Sequence, residues 1–374
     1  MEYAYYRDKS KTYAGAGVDT KSEDLAMSRI LPLFRKTFMN RIGIPGENIP
    51  LEDHYAAVIK ITENMAVAFK TDGVGTKTFI AQHMNKYDTV GIDCVAMNVN
   101  DILCTGAEPT SLLDYLAVEE SNPDLIYEVA RGLKKGADIA RISIVGGETA
   151  ILPEMIKGVV PRKGFDLAGC GLGVIDPHKI INGQNLSEGD VLIGISSSGI
   201  HSNGLTLARN VLLKHHKLDL NTYHEKLDRT LGEELLEPTH IYVDEIMTMI
   251  KSNLELKALA HITSDGLLNL SRIGKDKAYG YRIDHLPEPQ AIYKLIEEYG
   301  NIQPAEMYKV YNMGIGMCLT LPKAQVDSAL QIASKFGKEA FVMGRVVPDS
   351  ERKLDLRRPL GLVGDPRTGE FHAV

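Results

Sequence analysis

The densest chemistry in the chain is the run Asp72-Gly-Val-Gly-Thr-Lys77, which directly follows an apolar, strand-like stretch. Gly73 and Gly75 let the backbone approach a ligand closely, so that N–H groups face phosphate oxygens. Thr76 adds a hydroxyl and Lys77 a compact cation, while Asp72 offers a hard oxygen to a metal. The Walker A spacing is absent. A plain glycine-rich hairpin or βα turn fits the same letters.

Asp93, Asn100 and Asp101 form the next cluster. At 3.6 residues per turn, positions i and i+7 fall nearly in line, with i+8 at the edge of the same stripe. Their neighbours Val95, Ala96, Met97, Val99, Ile102 and Leu103 are apolar almost all round, so the helix is expected to be buried. Carboxylates on a buried helix are costly unless they bind a metal, pair with arginines or cap neighbouring loops. Gly146-Gly147-Glu148-Thr149 sits at the end of a short strand and adds a further carboxylate. Together Asp72, Asp93, Asp101 and Glu148 form an oxygen-only ligand set suited to Mg²⁺ shared with nucleotide phosphates.

Ser196-Ser-Ser198-Gly199-Ile-His201-Ser202-Asn203-Gly204 lies between a strand and a helix. Hydroxyls, an imidazole, an amide and glycine N–H groups converge there as an anion cradle. Helix capping by Ser202 or Asn203 explains one residue of the run but not all of it. Tyr13-Ala-Gly15-Ala-Gly17-Val-Asp19 lacks the third glycine of a dinucleotide fingerprint and no strand precedes it. A flap over a ligand and a disordered arm both fit it. No Ser–His–Asp set or nucleophilic cysteine stands out, so covalent catalysis is not favoured.

The elements that position these residues follow from periodicity. Helices are expected over Leu25–Phe38, Thr89–Leu103, Asp124–Ala140 and Leu205–Leu213. Strands are expected over Ala56–Ile61, Met65–Lys70, Leu112–Val118, Ser143–Val145, Asp166–Ile175, Val191–Ile195, Gly314–Leu321 and Ala340–Val347. Turn chemistry near residue 176 divides the chain into 1–175 and 176–348. The charged, Gly- and Pro-rich stretch 349–374 reads as an appended tail. Both halves mix strands and helices without a doubly wound rhythm, which makes the fold class α+β.

With 374 residues, two domains are expected. The net charge of −7 argues against a nucleic-acid footprint, which needs a basic patch. No apolar stretch reaches 18 residues, so no membrane span is expected. Cys94, Cys104, Cys170 and Cys318 form no CxxC pair or zinc spacing, and a reducing, cytoplasmic setting follows.

In order along the chain, the pieces Ala16-Gly-Val-Asp19, Thr71–Lys77, Gly91–Met97, Asn100-Asp101, Gly106-Ala-Glu-Pro109, Leu113-Asp-Tyr115, Gly146–Ala150, Ser197–Gly199, His201–Gly204, His261-Ile-Thr263 and Asn312–Met317 resemble the aminoimidazole ribonucleotide (AIR) synthetase family of cyclo-ligases. The resemblance implies two α+β domains, with the N-terminal domains pairing into a homodimer. It implies ATP and Mg²⁺ at the N-terminal half and formylglycinamidine ribonucleotide (FGAM) as substrate. ATP would phosphorylate the formyl amide oxygen, and the amidine nitrogen would then close the imidazole ring.

On that reading Gly15, Gly17, Asp19, Asp72, Gly73, Gly75, Thr76, Lys77, Asp93 and Asn100 contact the nucleotide. Ser198, Gly199, His201, Ser202 and Asn203 hold the substrate, and Lys77, Asp101 and His201 carry catalysis. The chain departs from the family where Ser264 and Asp265 replace glycines after Thr263, where Ile151 replaces an acidic residue, and in Glu52-Asp-His-Tyr55. Other ATP-dependent members of the same superfamily, or a nucleotide-binding regulator without catalysis, are the alternatives.

Overall fold

A computed structural model describes residues 12, 15–17 and 20–374 of the chain. Tyr13 and Asp19, expected near a ligand, lie outside the described residues. The first half contains α1 (Thr20–Thr37), β1 (Glu47–Ile49), β2 (Ala57–Thr62), β3 (Met65–Gly73), α2 (Lys77–Met84) and α3 (Val90–Cys104). It continues with β4 (Glu108–Val118), α4 (Pro123–Ala140), β5 (Ser143–Ile151) and β6 (Phe165–Ile175). Six strands form one sheet in the order β1-β2-β3-β6-β4-β5. All neighbours are antiparallel except β4 and β5, which need the α4 crossover to run parallel.

α4 starts where its sequence says it should. Asn122 caps it by accepting from the Leu125 N–H, and Pro123 occupies the first turn. All fifteen residues of α3 are buried, as its all-round apolar character predicts. α3 meets α4 backbone to backbone. A Cβ on Gly91 would lie 2.2 Å from the Leu133 nitrogen, and one on Gly132 would lie 2.3 Å from the Asp88 oxygen.

The second half contains β7 (Val191–Ser196), α5 (Leu205–Arg209), a small hairpin of β8 (Tyr223–His224) and β9 (Arg229–Thr230), α6 (Leu231–Leu235) and α7 (Val243–Lys251). It then runs through β10 (Ala258–His261), β11 (Tyr279–Ile283), α8 (Ala291–Gly300), α9 (Pro304–Val310), β12 (Ile315–Leu321), α10 (Val326–Lys335) and β13 (Ala340–Pro348). Beyond these come β14 (Leu354–Leu356), α11 (Arg357–Leu360), β15 (Leu362–Asp365) and β16 (Glu370–Ala373). The larger sheet has the order β10-β12-β7-β13-β11-β14-β15-β16.

The stretch 349–374 is therefore not an appended tail. It supplies three strands of the second sheet, and its apolar residues Leu354, Leu356, Leu362 and Phe371 are buried. Charged residues hide this in the sequence because they alternate with the buried ones and pair locally, as Arg357 and Arg367 do with Asp355 and Asp365. The helix α2 is a second difference. The expected helix begins near Thr89, yet two turns form directly after the glycine loop and stop at Asn85, which takes the left-handed conformation.

Candidate active site

One short segment gathers several of the expected residues. Glu237–Tyr242 connects α6 to α7, and both halves of the molecule bond to it. Lys77 donates to the Glu237 carbonyl at 2.5 Å and to Asp93 at 2.9 Å. Asp93 also accepts from the Thr239 N–H (2.8 Å) and hydroxyl (2.6 Å). Seven residues along the same stripe, Asn100 donates to the His240 carbonyl (2.8 Å) and accepts from the Tyr242 N–H (3.1 Å). From the other side, the Ser198 hydroxyl donates to the Pro238 carbonyl and the Tyr242 hydroxyl to the Ser196 carbonyl.

The glycine loop and the anion cradle thus face each other. The Thr76 and Thr206 hydroxyls are 3.1 Å apart, one at the start of α2 and the other in the first turn of α5. Gly75 has φ +67°, a left-handed conformation that a side chain would strain. The Gly73 N–H is already engaged by the Asp72 carboxylate at 2.8 Å.

Lys77 and Asp93 are both fully buried and neutralise each other. In this structure the two charges are spent on each other. A second, partly exposed cation close by is Lys70 of β3, which sequence reasoning passed over. Its ammonium lies 2.7 Å from Asp101 and 3.4 Å from Asp72. Asp101 also contacts the His261 Nδ1 at 2.8 Å. Burial alone would raise the Asp101 pKa, but the His261 hydrogen bond and the Lys70 ammonium outweigh it and hold the carboxyl below its usual range. Asp72 is shifted the other way, because burial outweighs its longer contact with Lys70.

Glu148 stands apart from this cluster. It lies inside β5, in register with Tyr115, while Asp72 shares a row with Gly169 and Asp114. Adjacent rows point to opposite faces. Asp72 therefore looks towards α3, and Glu148 towards the open face with Tyr115. The expected short strand Ser143–Val145 hid this parity, because it ends before Glu148. Among the described residues no group of three His, Cys, Asp or Glu side chains is placed to hold a metal ion. The four carboxylates do not form one Mg²⁺ cage.

The cradle is held from beneath. The Asn312 side chain accepts from Ser197, Tyr293 and the Gly314 N–H, and donates to the Gly199 and Ile200 carbonyls. His201 has φ +64°, and its Nε2 accepts from the Ser198 N–H at 3.2 Å. Burial lowers its pKa far below the usual value, with the neighbouring His240 adding to the effect. His201 is therefore neutral, with its proton on Nδ1. That Nδ1, the Ser202 hydroxyl and the Asn203 Nδ2 are buried without a partner. An imidazole N–H, a hydroxyl and an amide N–H₂ are donors of the kind that an anion takes.

Gly15 and Gly17 lie in a turn closed by Thr12, which accepts from the Gly15 N–H. Gly17 is exposed.

Glu245 of α7 gives this region a pH signature. Burial raises its carboxyl to about 7, with Lys338 opposing the shift and Asp244 adding to it. A raised acid binds its proton more tightly in the folded state, so stability is lost as pH rises from about 4.5 to about 7. The Glu245→Gln variant has no proton to lose. Chemical denaturation across that window should show the parent losing roughly 3 kcal/mol relative to the variant. A constant difference would refute the assignment.

Both halves match known families. Residues 53–175 match the AIR synthase related protein N-terminal domain, and residues 187–357 match the corresponding C-terminal domain. A phosphoribosylformylglycinamidine cyclo-ligase of Pyrococcus horikoshii is 45% identical over 344 residues, covering 91% of this chain and 96% of its own. One from Methanothermobacter thermautotrophicus is 45% identical over 335 residues, covering 90% and 94%. A Thermotoga maritima PurL structure complexed with FGAR superposes with a TM-score of 0.60 at 16% identity, covering 89% of this chain and 50% of that one. A thiamine-monophosphate kinase from Stenotrophomonas maltophilia gives 0.59 at 18%, covering 86% and 94%. The structural matches carry the two-domain α+β fold, the sequence matches carry more, and together they make this chain a member of the phosphoribosylformylglycinamidine cyclo-ligase family.

Proposed function

We propose that the chain cyclises FGAM to AIR with ATP, in purine biosynthesis, releasing ADP and phosphate. The observation that supports this best is the Thr76–Thr206 contact, which sets a phosphate-type loop against an anion cradle. ATP lies along Asp72–Thr76, under a flap that includes Gly15 and Gly17. The ribose phosphate of FGAM lies in Ser198–Asn203, where His201 Nδ1, Ser202 and Asn203 supply the unpaired groups. His201 acts as a neutral hydrogen-bond donor rather than as a base.

The γ-phosphoryl group moves to the formyl oxygen, which turns a poor leaving group into a good one. The amidine nitrogen attacks the formyl carbon, phosphate departs with that oxygen, and the nitrogen loses a proton. Phosphoryl transfer needs positioning and charge neutralisation more than covalent help. Lys70, steadied by Asp101 and Asp72, provides the charge, and the opposed loops provide proximity. Mg²⁺ would accompany the nucleotide and neutralise its phosphates, with Asp72 the residue placed to help hold it; the expected four-carboxylate set does not converge on one ion.

We also assign a homodimer. β5 is an edge strand, and the face it shares with β4 exposes Leu113, Tyr115 and Val145. α1 adds exposed Leu33 and Phe34. Apolar surface of this kind marks a partner site, and Glu148 would lie within it. No helix of the described residues is long and apolar enough to cross a membrane, and we place the enzyme in the cytoplasm.

The test is ADP release by the purified protein with ATP and FGAM, and with thiamine monophosphate in place of FGAM. ADP that depends on FGAM, together with AIR formation, is expected. ADP with thiamine monophosphate alone supports the kinase alternative. No ADP with either supports a regulator without catalysis.

A further inference from the structure

Below the cleft, α2 and α5 lie side by side. Thr76 meets Thr206, and three residues further along each helix the Arg209 guanidinium stacks 4.4 Å from the centre of the Phe79 ring. One more turn down, roughly 10 Å from the threonines, the two helices open onto a cavity of about 480 Å³. Its wall includes Arg209, Lys214, Lys217 and His83. The Asn210–His215 segment is a π-helical turn, which carries Leu213 and Lys214 to the wall. Such turns recur at functional sites. The opposite wall is held by Gln82, which accepts from the Val159 N–H at 2.8 Å.

The cavity's charge is unbalanced. Arg209 is only 9% exposed, and no carboxylate among the described residues pairs with it, with Lys214 or with Lys217. Burial lowers the Arg209 pKa with no acidic neighbour to offset it. The one acidic side chain on the wall, Asp219, is turned to Asn221, whose N–H and side-chain amide both donate to it. A buried cation without an anion is costly, and a guanidinium already stacked on an aromatic ring keeps its fork free for phosphate. Leu213, Leu218 and Val159 supply apolar surface beside these cations. The volume falls within the range of small-ligand sites.

We propose that this cavity is a second anion site, distinct from the catalytic cleft, that binds a small phosphorylated ligand of mononucleotide size. The phosphate meets Arg209, Lys214 and Lys217, and the organic body lies on the leucines and Val159. The ligand would touch the far ends of the two helices whose near ends carry Thr76 and Thr206.

Calorimetry with AMP tests this on the full chain, with the cleft saturated by a non-hydrolysable ATP analogue. One AMP site should remain. Its Kd should rise at least tenfold in the Lys214→Ala/Lys217→Ala double variant and in Arg209→Met, and adenosine should bind at least tenfold more weakly than AMP. The lysine variant should turn over FGAM normally without AMP, which guards against Arg209→Met failing to fold. Complete displacement of AMP by the analogue would overturn the proposal. So would an unchanged Kd in the lysine variant, or inorganic phosphate binding as tightly as AMP.

Discussion

The Lys77→Met variant should unfold at a much lower urea concentration than the parent, with a loss of roughly 3–5 kcal/mol. The substitution strands the Asp93 carboxylate, which is fully buried beside Thr239 and has no other cation within reach. A second change, Asp93→Asn, should recover a large part of the loss. The amide oxygen still accepts from Thr239, and the stranded buried charge is gone. The pair therefore separates two readings of one lysine. As a structural ion pair, Lys77 moves the denaturation midpoint and the double variant restores it. As a phosphate counter-charge, Lys77→Met would leave the midpoint in place and abolish turnover, and Asp93→Asn would restore nothing. That second pattern would return Lys77 to the catalytic set.

Asp101→Asn should act the other way round. We expect kcat to fall at least 100-fold, the scale of removing one preorganised electrostatic group, while far-UV circular dichroism keeps the parent's shape. Asp101 is the group that fixes Lys70 at 2.7 Å and orients the His261 ring. The amide keeps the size and a hydrogen bond to His261 but loses the charge, leaving Lys70 with only the longer contact to Asp72. Asp72→Asn, which removes the weaker partner, should cost less than Asp101→Asn. Near-parent turnover in Asp101→Asn would remove the Lys70 cluster from the mechanism. A collapsed dichroism spectrum would show that Asp101 serves the fold instead.

The sequence was most legible where one period ruled. The stripe Asp93–Asn100 was read from helical spacing alone, and both residues reach the same six-residue segment in space. The cradle was legible because so many polar residues sit in a single run. Glu148 was misread because strand parity depends on where the strand starts and stops, and two glycines looked like its end. Lys70 was missed, and His261 was noted only inside a family motif without a role, because each is an ordinary strand residue until β3 and β10 are both laid against α3. Thr239 carried a faint signal: Glu237-Pro-Thr-His is a polar, proline-bearing run between two apolar segments. The register of β14–β16 was hidden for a related reason. Short strands of alternating charge look like solvated chain until their buried leucines are counted.

Those last strands also order the molecule's assembly on the ribosome. Every strand of the first sheet lies within residues 47–175, so that sheet can close while the remainder is still being synthesised. The second cannot. β11 waits about seventy residues of translation for β14, its neighbour on the side away from β13. Until β13 emerges its backbone N–H and C=O groups stand bare along both edges, and until β14 emerges along one, the state most prone to pairing with another nascent chain. Truncation within 349–374 would make that transient exposure permanent, and its first sign in a cell would be loss of yield rather than loss of specific activity.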